Sequence, residues 1–190
     1  YKNPRHEQIL CEALTTAGFS FLSVSSELSP NIKLLSRTQT ALVDAYLSPI
    51  LNSYLSGIHR QLPAEASFRV MTSAGGLATI DRFAAKDSLL SGPAGGVVGA
   101  AHIAARLGVE KILTLDMGGT STDTARFAGS FDYKYLTTVG DTHLQSPSLD
   151  VETVAAGGGS ICGFDGHKLF VGPESAGAQP GPACYGAGGH

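Results

Sequence analysis

No window of this 190-residue sequence holds the long uncharged apolar run that a membrane-spanning helix requires. Charge is sparse as well. Asp, Glu, Lys and Arg make up 15% of residues against 43% hydrophobic, a balance that excludes a disordered chain and suits a globular one with one good core or two small ones. The formal net charge of −3 gives no electrostatic reason to expect nucleic acid or an acidic membrane as a partner. Cysteine is scarce: Cys11, Cys162 and Cys184 form no Cys-x-x-Cys and are odd in number. That argues against a disulfide scaffold and fits a reducing, cytoplasmic setting. The histidines show no ligand spacing with these thiols, so a thiolate metal site is not expected. His6, His59, His102, His143 and His167 stand singly and read as structural or solvent-facing. Cys184, with no base beside it, reads as a buried structural thiol rather than a nucleophile.

Glycine is missing from the early part of the chain. Of the 24 glycines, only Gly18 and Gly57 precede Gly75. The first stretch therefore reads as packed helix and strand, and the remainder as strands joined by backbone-shaped loops. The chain opens without a methionine and closes among glycines, so a piece of a longer polypeptide is expected.

Residues 4–17 suggest a helix with Asn3 as N-cap, Pro4 in the first helical position and Gly18 as the stop. Residues 20–26 have strand character. Residues 36–62 form the longest helical candidate, with Leu42, Ala45, Tyr46, Pro49, Ile50, Ser53, Tyr54 and Ile58 at helical spacing as its core face. Pro49 is expected to kink or split it, and Arg37 reads as a surface or capping charge. A short strand follows at 68–71. The loop Ser91-Gly-Pro-Ala-Gly-Gly96 opens a helix over 97–107 that Gly108 closes. Strands at 112–116, 122–127 and 132–138 are expected to form a meander, and a hairpin is expected near 163–170. Helix, strand and helix followed by a meander indicate a mixed α/β fold.

The most informative stretch is Asp116-Met-Gly-Gly-Thr-Ser-Thr-Asp123 between two strand signals. Gly118 and Gly119 allow a sharp turn and bring N–H groups close to an anion. Thr120, Ser121 and Thr122 add hydroxyl donors. Asp116 and Asp123 suit a hydrated magnesium ion. A hairpin with a polar tip is the alternative, and the Thr-Ser-Thr-Asp continuation favours phosphate.

Four long motifs then stand in one order: Ser91-Gly-Pro-Ala-Gly-Gly-Val-Val-Gly99, Leu115–Asp123, Val154-Ala-Ala-Gly-Gly-Gly-Ser160 and Gly172-Pro-Glu-Ser-Ala-Gly-Ala-Gln-Pro-Gly-Pro-Ala-Cys-Tyr185. With Asn3-Pro-x-His-Glu-Gln8 and Asp44-Ala-Tyr-Leu-Ser-Pro49, the sequence closely resembles the hydantoinase A/5-oxoprolinase family, which includes acetone-carboxylase-type subunits. Arg37-Thr-x-Thr40 and Ala85-Lys-Asp-Ser-Leu-Leu-Ser-Gly92 look most like its 5-oxoprolinase branch.

That resemblance implies an ATPase of the actin, sugar-kinase and heat-shock-chaperone type, a partial ribonuclease-H-like lobe with a mixed sheet and flanking helices. Residues 1–90 would complete the first lobe or an interlobe region, and 91–190 would begin the second. The Asp116 turn matches the second of two phosphate loops. The Gly-Gly-Thr-Phe-Thr-Asp turn that family members carry near their N-terminus has no copy here, so the chain is expected to hold part of a nucleotide site and not to turn over alone.

The resemblance implies ATP and Mg2+ as cofactors and a small cyclic amide, 5-oxoproline or a hydantoin, as substrate. The partner would be a second subunit or a fused hydantoinase B-like region. Asp116 and Asp123 are the candidate catalytic and metal residues. One or both would hold magnesium through water, or one would orient a nucleophile. Gly118, Gly119, Thr120, Ser121 and Thr122 would contact phosphate. Ser91, Gly92 and Gly95 would offer N–H groups at a helix start, unless they form a tight turn only. The Gly157-Gly-Gly-Ser160 loop, with Gly158 and Gly159, would approach the nucleotide or substrate, unless it forms a plain loop. Glu174 and Ser175, in a Pro/Gly-framed loop, would face substrate. Phosphorylating an amide oxygen turns a poor electrophile into one with a good leaving group, which is why ATP suits ring opening. Hydantoin hydrolysis or ketone carboxylation are the alternatives within enzymes. An ATP-binding switch without small-molecule turnover is the alternative outside them, though it leaves the Gly/Pro motifs after Gly157 unexplained.

Overall fold

The computed structural model describes residues 3–189. In chain order these form α1 (Arg5–Thr16), α2 (Ser25–Leu28), α3 (Leu34–His59), β1 (Val70–Met71), β2 (Leu77–Ala78), α4 (Ser91–Arg106), β3 (Lys111–Met117), β4 (Thr122–Ala128), β5 (Tyr133–Lys134), β6 (Thr137–Val139), β7 (Thr142–Leu144), β8 (Ser148–Leu149), β9 (Val151–Val154), β10 (Ser160–Phe164) and β11 (Leu169–Ser175). The chain divides into two compact units, Tyr1–Gly95 with Tyr133–Leu149, and Gly96–Asp132 with Asp150–His190. No helix among the described residues is long and apolar enough to cross a membrane.

In the first unit, α1 begins at Arg5, with Pro4 at the N-cap position where Asn3 was expected, one residue later than the sequence suggests. The Asn3 Oδ1 accepts the Arg5 N–H at 3.1 Å, satisfying one of the amides a helix start leaves open. It ends where Gly18 takes φ +94°, with Gly18 N–H donating to the Thr15 carbonyl and Phe19 N–H to that of Leu14, the bond pair of a left-handed glycine cap. The strand expected over 20–26 is absent. Residues 25–28 are helical instead, because Glu7 receives the Ser26 N–H at 2.9 Å and the Ser25 hydroxyl at 3.0 Å, capping α2 from another helix. Partial burial works against the Glu7 charge, but those hydrogen bonds and the Arg37 guanidinium outweigh it, and its carboxyl lies below the ordinary value.

Helix α3 continues through Pro49 as one element, without the expected split. Its inward face is also not the expected one. Tyr46 is 74% exposed, and Leu42, Ile50 and Tyr54 are exposed with it, whereas Arg37, Thr40, Asp44 and Leu55 are buried. The spacing identified a helix but not which face turns inward, since these polar groups all find partners. Arg37, far from a surface charge, lies 3.0 Å from Glu7 Oε1 and is 7% exposed. Asp44 accepts the Lys86 N–H at 2.9 Å on Oδ1 and the Ser23 hydroxyl at 2.7 Å on Oδ2. Thr40 accepts the Gln145 N–H at 2.9 Å. The Lys86 ammonium lies 2.6 Å from Asp87 Oδ1, which also accepts the Ser146 hydroxyl.

β1 and β2 pair as a hairpin whose Ser73 gives both its N–H and its hydroxyl to the Asp87 carbonyl at 2.7 Å. The expected third meander strand, 132–138, is replaced by β5, paired with β8, and β6, paired with β7, in this same unit. Leu144 and Leu149 from that stretch are among its most buried side chains.

α4 begins at Ser91, not at 97. The Ala94 N–H reaches the Leu90 carbonyl at 3.1 Å, and Pro93 sits in the first turn, where a missing N–H costs nothing. Its buried residues, Ala94, Val97, Ala101 and Ala104, fall on one stripe at helical spacing. Gly108 closes it at φ +70° with the same bond pair that ends α1.

In the second unit the sheet order is β3-β4-β9, so Val151–Val154 supplies the third strand. β10 and β11 form a hairpin beyond it, where the Phe170 ring lies over Gly163 in the space a Cβ there would take. Every ladder among the described residues is antiparallel, so none of these strands supplies the parallel part of a mixed sheet.

Candidate functional site

Within the second unit, Asp116 pairs with Asp123 and Met117 with Thr122 across the β3–β4 hairpin. The turn Gly118-Gly-Thr-Ser121 closes with the Gly118 N–H on the Ser121 carbonyl at 2.9 Å. Neither glycine takes a positive φ. A Cβ on Gly118 would stand 3.5 Å from the Ser121 carbonyl oxygen, and one on Gly119 would stand 3.5 Å from the Tyr185 hydroxyl, both ordinary contacts. The pair therefore serves by leaving backbone bare, not by allowing a special conformation.

A second glycine loop lies against the first. The Gly158 N–H donates to the Gly118 carbonyl at 2.9 Å, the Gly159 N–H to the Gly119 carbonyl at 2.8 Å, and the Thr122 hydroxyl to the Ala156 carbonyl at 2.5 Å. The carbonyls of Gly118 and Gly119 are thus taken, while the Gly119 and Thr120 N–H groups donate to nothing among the described residues. Free amides beside satisfied carbonyls make a donor surface suited to an anion. Gly157 is the tightest point: a Cβ there would stand 2.6 Å from the Gly118 carbonyl oxygen and 2.7 Å from the Thr120 nitrogen.

The segment after β10 braces that loop. The Ala176 N–H donates to the Gly159 carbonyl at 2.7 Å, joined by the Ser175 hydroxyl at 3.1 Å, which itself accepts the Gly177 N–H. Gly96 of α4 faces Asp116, with 3.9 Å between its would-be Cβ and Oδ2. Residues from all four motifs therefore surround one turn.

The two carboxylates differ. Asp116 is exposed, whereas Asp123 is half-buried and accepts the Thr153 hydroxyl on Oδ1 at 2.6 Å. Thr153 sits opposite Asp123 in the β4–β9 ladder. No group of three or more His, Cys, Asp or Glu that could hold a metal ion converges among the described residues. A pair of carboxylates instead suits Mg2+, which keeps water and takes one or two carboxylates together with phosphate oxygens.

Of the other sequence candidates, Gly118 through Thr122 share the turn, and Gly158 and Gly159 brace it. Ser91, Gly92 and Gly95 lie inside α4 and keep company in the first unit: the Ser91 hydroxyl donates to the Ser88 carbonyl at 2.8 Å, and Gly95 faces Met71. Ser175 is engaged with backbone, and Glu174 is exposed without a hydrogen bond among the described residues. Cys184 is exposed, not buried. Sequence reasoning singled out the Gly157–Ser160 loop but neither Thr153 nor Tyr185. Tyr185 was signalled by its motif, and Thr153 by nothing short of strand register.

The family model described as hydantoinase/oxoprolinase matches residues 37–190. The chain is 44% identical over 193 residues to 5-oxoprolinase 1 of Arabidopsis thaliana, covering 100% of this chain and 15% of that protein. It is thus a small share of the length of the curated relatives it matches. Among solved structures, the ATP-dependent caprolactamase from Pseudomonas jessenii matches with a TM-score of 0.81 at 37% identity, over 98% of this chain and 28% of that one. The nucleotide-free acetone carboxylase matches with a TM-score of 0.75 at 29% identity, over 100% of this chain and 28% of that one. The α/β fold is accordingly part of the actin-like ATPase type that those structures share. The matched residues take in all four motifs that converge on the Asp116–Asp123 turn, and the chain belongs to the hydantoinase/oxoprolinase family.

Proposed function

We propose that this chain is the phosphate-binding part of an enzyme that hydrolyses a cyclic amide at the expense of ATP, most specifically 5-oxo-L-proline to L-glutamate. The observation that carries the reading is the turn itself, with its carbonyls engaged by Gly158 and Gly159 and its Gly119 and Thr120 amides free. ATP, when bound, supplies a phosphoryl group that converts the amide oxygen into a leaving group. The chain's own residues hold charge in place around that event. Gly119 and Thr120 offer N–H donors, and Thr120 and Ser121 offer hydroxyls. Asp123, anchored through Oδ1 by Thr153, and Asp116 would together hold a hydrated Mg2+, which would offset charge on the phosphates.

The choice of 5-oxoproline is supported by the relatives named 5-oxoprolinase, among them those of Arabidopsis thaliana and Saccharomyces cerevisiae, the latter 42% identical. A second reading keeps the ATP chemistry and changes the acceptor, to another lactam, a hydantoin or a ketone. It is supported by the 38% identity to caprolactamase subunit alpha and by the acetone carboxylase likeness. A relative named as a subunit also supports a partner subunit or a fused region.

The test is phosphate release by the full-length protein with any partner subunit, in ATP and Mg2+, with and without 5-oxo-L-proline. Release that requires this lactam and equals the glutamate formed supports the first reading. Release that requires caprolactam, hydantoin or acetone instead supports the second. Release indifferent to all of them sinks both in favour of a nucleotide switch.

A further inference from the structure

Tyr185 closes the last of the four motifs, and its hydroxyl beside Gly119 has so far been given no task. It ends a 3-10 turn, Ala183–Tyr185, in which its N–H reaches the Pro182 carbonyl at 2.9 Å and the Gly186 N–H reaches that of Ala183. Gly186, at φ +70°, stops the turn immediately after it. The ring packs against a glycine: a Cβ on Gly181 would stand 2.5 Å from Tyr185 Cδ2 and 3.1 Å from Cε2. Gly181 itself sits at φ +74°, where a side chain is strained in any case. Two glycines and a 3-10 turn therefore fix the direction of this side chain.

Its hydroxyl is carried to the phosphate turn, 3.5 Å from where a Cβ on Gly119 would be. Among the described residues that hydroxyl has no hydrogen-bond partner, and Tyr185 as a whole is 52% exposed. Packing against Gly181 needs only the ring, and phenylalanine would supply it as well. A phenol oxygen held beside a glycine whose own N–H is free is instead one more donor aimed at the same space.

Resting on the nucleotide reading above, we propose that Tyr185 is a phosphate-binding residue, its phenol donating a hydrogen bond to a phosphoryl oxygen held by the Gly119 and Thr120 amides. The end of β11 and the chain after it then have a double task. Ser175 braces the glycine loop that holds the turn, and Tyr185 brings its hydroxyl to Gly119.

The experiment is titration of the full-length protein, with any partner subunit, by Mg2+ and a non-hydrolysable ATP analogue, comparing wild type with Tyr185→Phe. Thermal unfolding is measured on both without nucleotide. The expected result is an affinity loss of roughly 10-fold or more, the range for a hydrogen bond to a charged group, with an unchanged unfolding midpoint. Equal affinities overturn the inference while leaving the nucleotide reading standing. A lowered midpoint that accompanies the affinity loss assigns the hydroxyl to the fold and also overturns it. A wild-type protein that binds no analogue overturns this inference and the nucleotide reading together.

Discussion

Gly157 stands backbone to backbone with Gly118, leaving 2.6 Å between its would-be Cβ and the Gly118 carbonyl oxygen. Real Cβ atoms do not approach so closely, and the obstacle is main chain that cannot rotate away. Gly157→Ala in the full-length protein is therefore expected to destabilise by about 1–3 kcal/mol, the usual range for overpacking, read as a lower unfolding midpoint. Gly118→Ala and Gly119→Ala meet only ordinary contacts and are expected to keep the wild-type midpoint. Their loss should appear instead as weaker ATP binding, because a methyl group occupies the bare surface. The same fall in stability for all three variants would contradict this division.

Thr153 and Asp123 are the second pair to separate. Thr153→Val removes the hydroxyl that holds Asp123 Oδ1 and keeps the β-branched shape. The expected outcome is a Mg2+ requirement shifted upward by roughly 10-fold with a smaller change in kcat, as for loss of a group orienting a ligand carboxylate. Thr153→Ser is expected to restore the wild-type value. An unaltered Mg2+ titration in Thr153→Val would assign that hydrogen bond to the sheet alone.

Asp116→Asn and Asp123→Asn each keep size and remove charge. Both are expected to lower ATP turnover by about 10²-fold or more, since charge around the transferred phosphoryl group is the largest single contribution to such catalysis. Asp123 is held by Thr153 and Asp116 is not, so Asp116→Asn is expected to leave the unfolding midpoint untouched. Retained turnover in both variants would remove the carboxylates from the mechanism.

Glu7 gives a pH dependence with a definite sign. Its carboxyl lies below the ordinary value when folded, because the Ser26 N–H, the Ser25 hydroxyl and Arg37 favour the charged form more than burial disfavours it. The unfolded chain then binds the proton first as pH falls. Stability from this group is complete above the unfolded-state value of about 4.3 and is lost as pH drops through the lower folded value. Glu7→Gln is expected to flatten that acid limb and to lower stability at neutral pH, since Arg37 is left buried without its partner. Urea unfolding of both proteins between neutral and acid pH measures it.

What could be read from the residues follows how local each signal is. α1 and α4 ended where Gly18 and Gly108 stand, because a left-handed cap is a property of one residue and its two bonds. The β3–β4 hairpin was legible for the same reason, since both strands and their turn are contiguous. Its third strand was not. β9 reaches β4 only after the chain has passed through β5 to β8, and nothing in the pattern of Val151–Val154 distinguishes it from the nearer Tyr133–Lys134. The facing of α3 failed for another reason. Its apolar stripe was read as core on hydrophobicity alone, whereas Arg37, Thr40 and Asp44 are stabilised inside by Glu7, Gln145 and Lys86, all distant in sequence. In the site, residue types revealed the donors, but only backbone proximity showed that the Val154–Ser160 motif underlies the turn.

The route of the chain between Tyr133 and Leu149 bears on how the two units are to be handled. That stretch leaves the second unit after Asp132, contributes Leu144 and Leu149 to the interior of the first, and returns at Asp150. No single cut yields both halves intact: ending a clone at Gly95 forfeits two of the best-packed leucines, and starting one at Gly96 carries them as an unmatched insertion. Isolating the second unit calls for excision of the 133–149 segment and a short graft joining Asp132 to Asp150, the Asp150 N–H already meeting the Asp132 carbonyl at 2.9 Å.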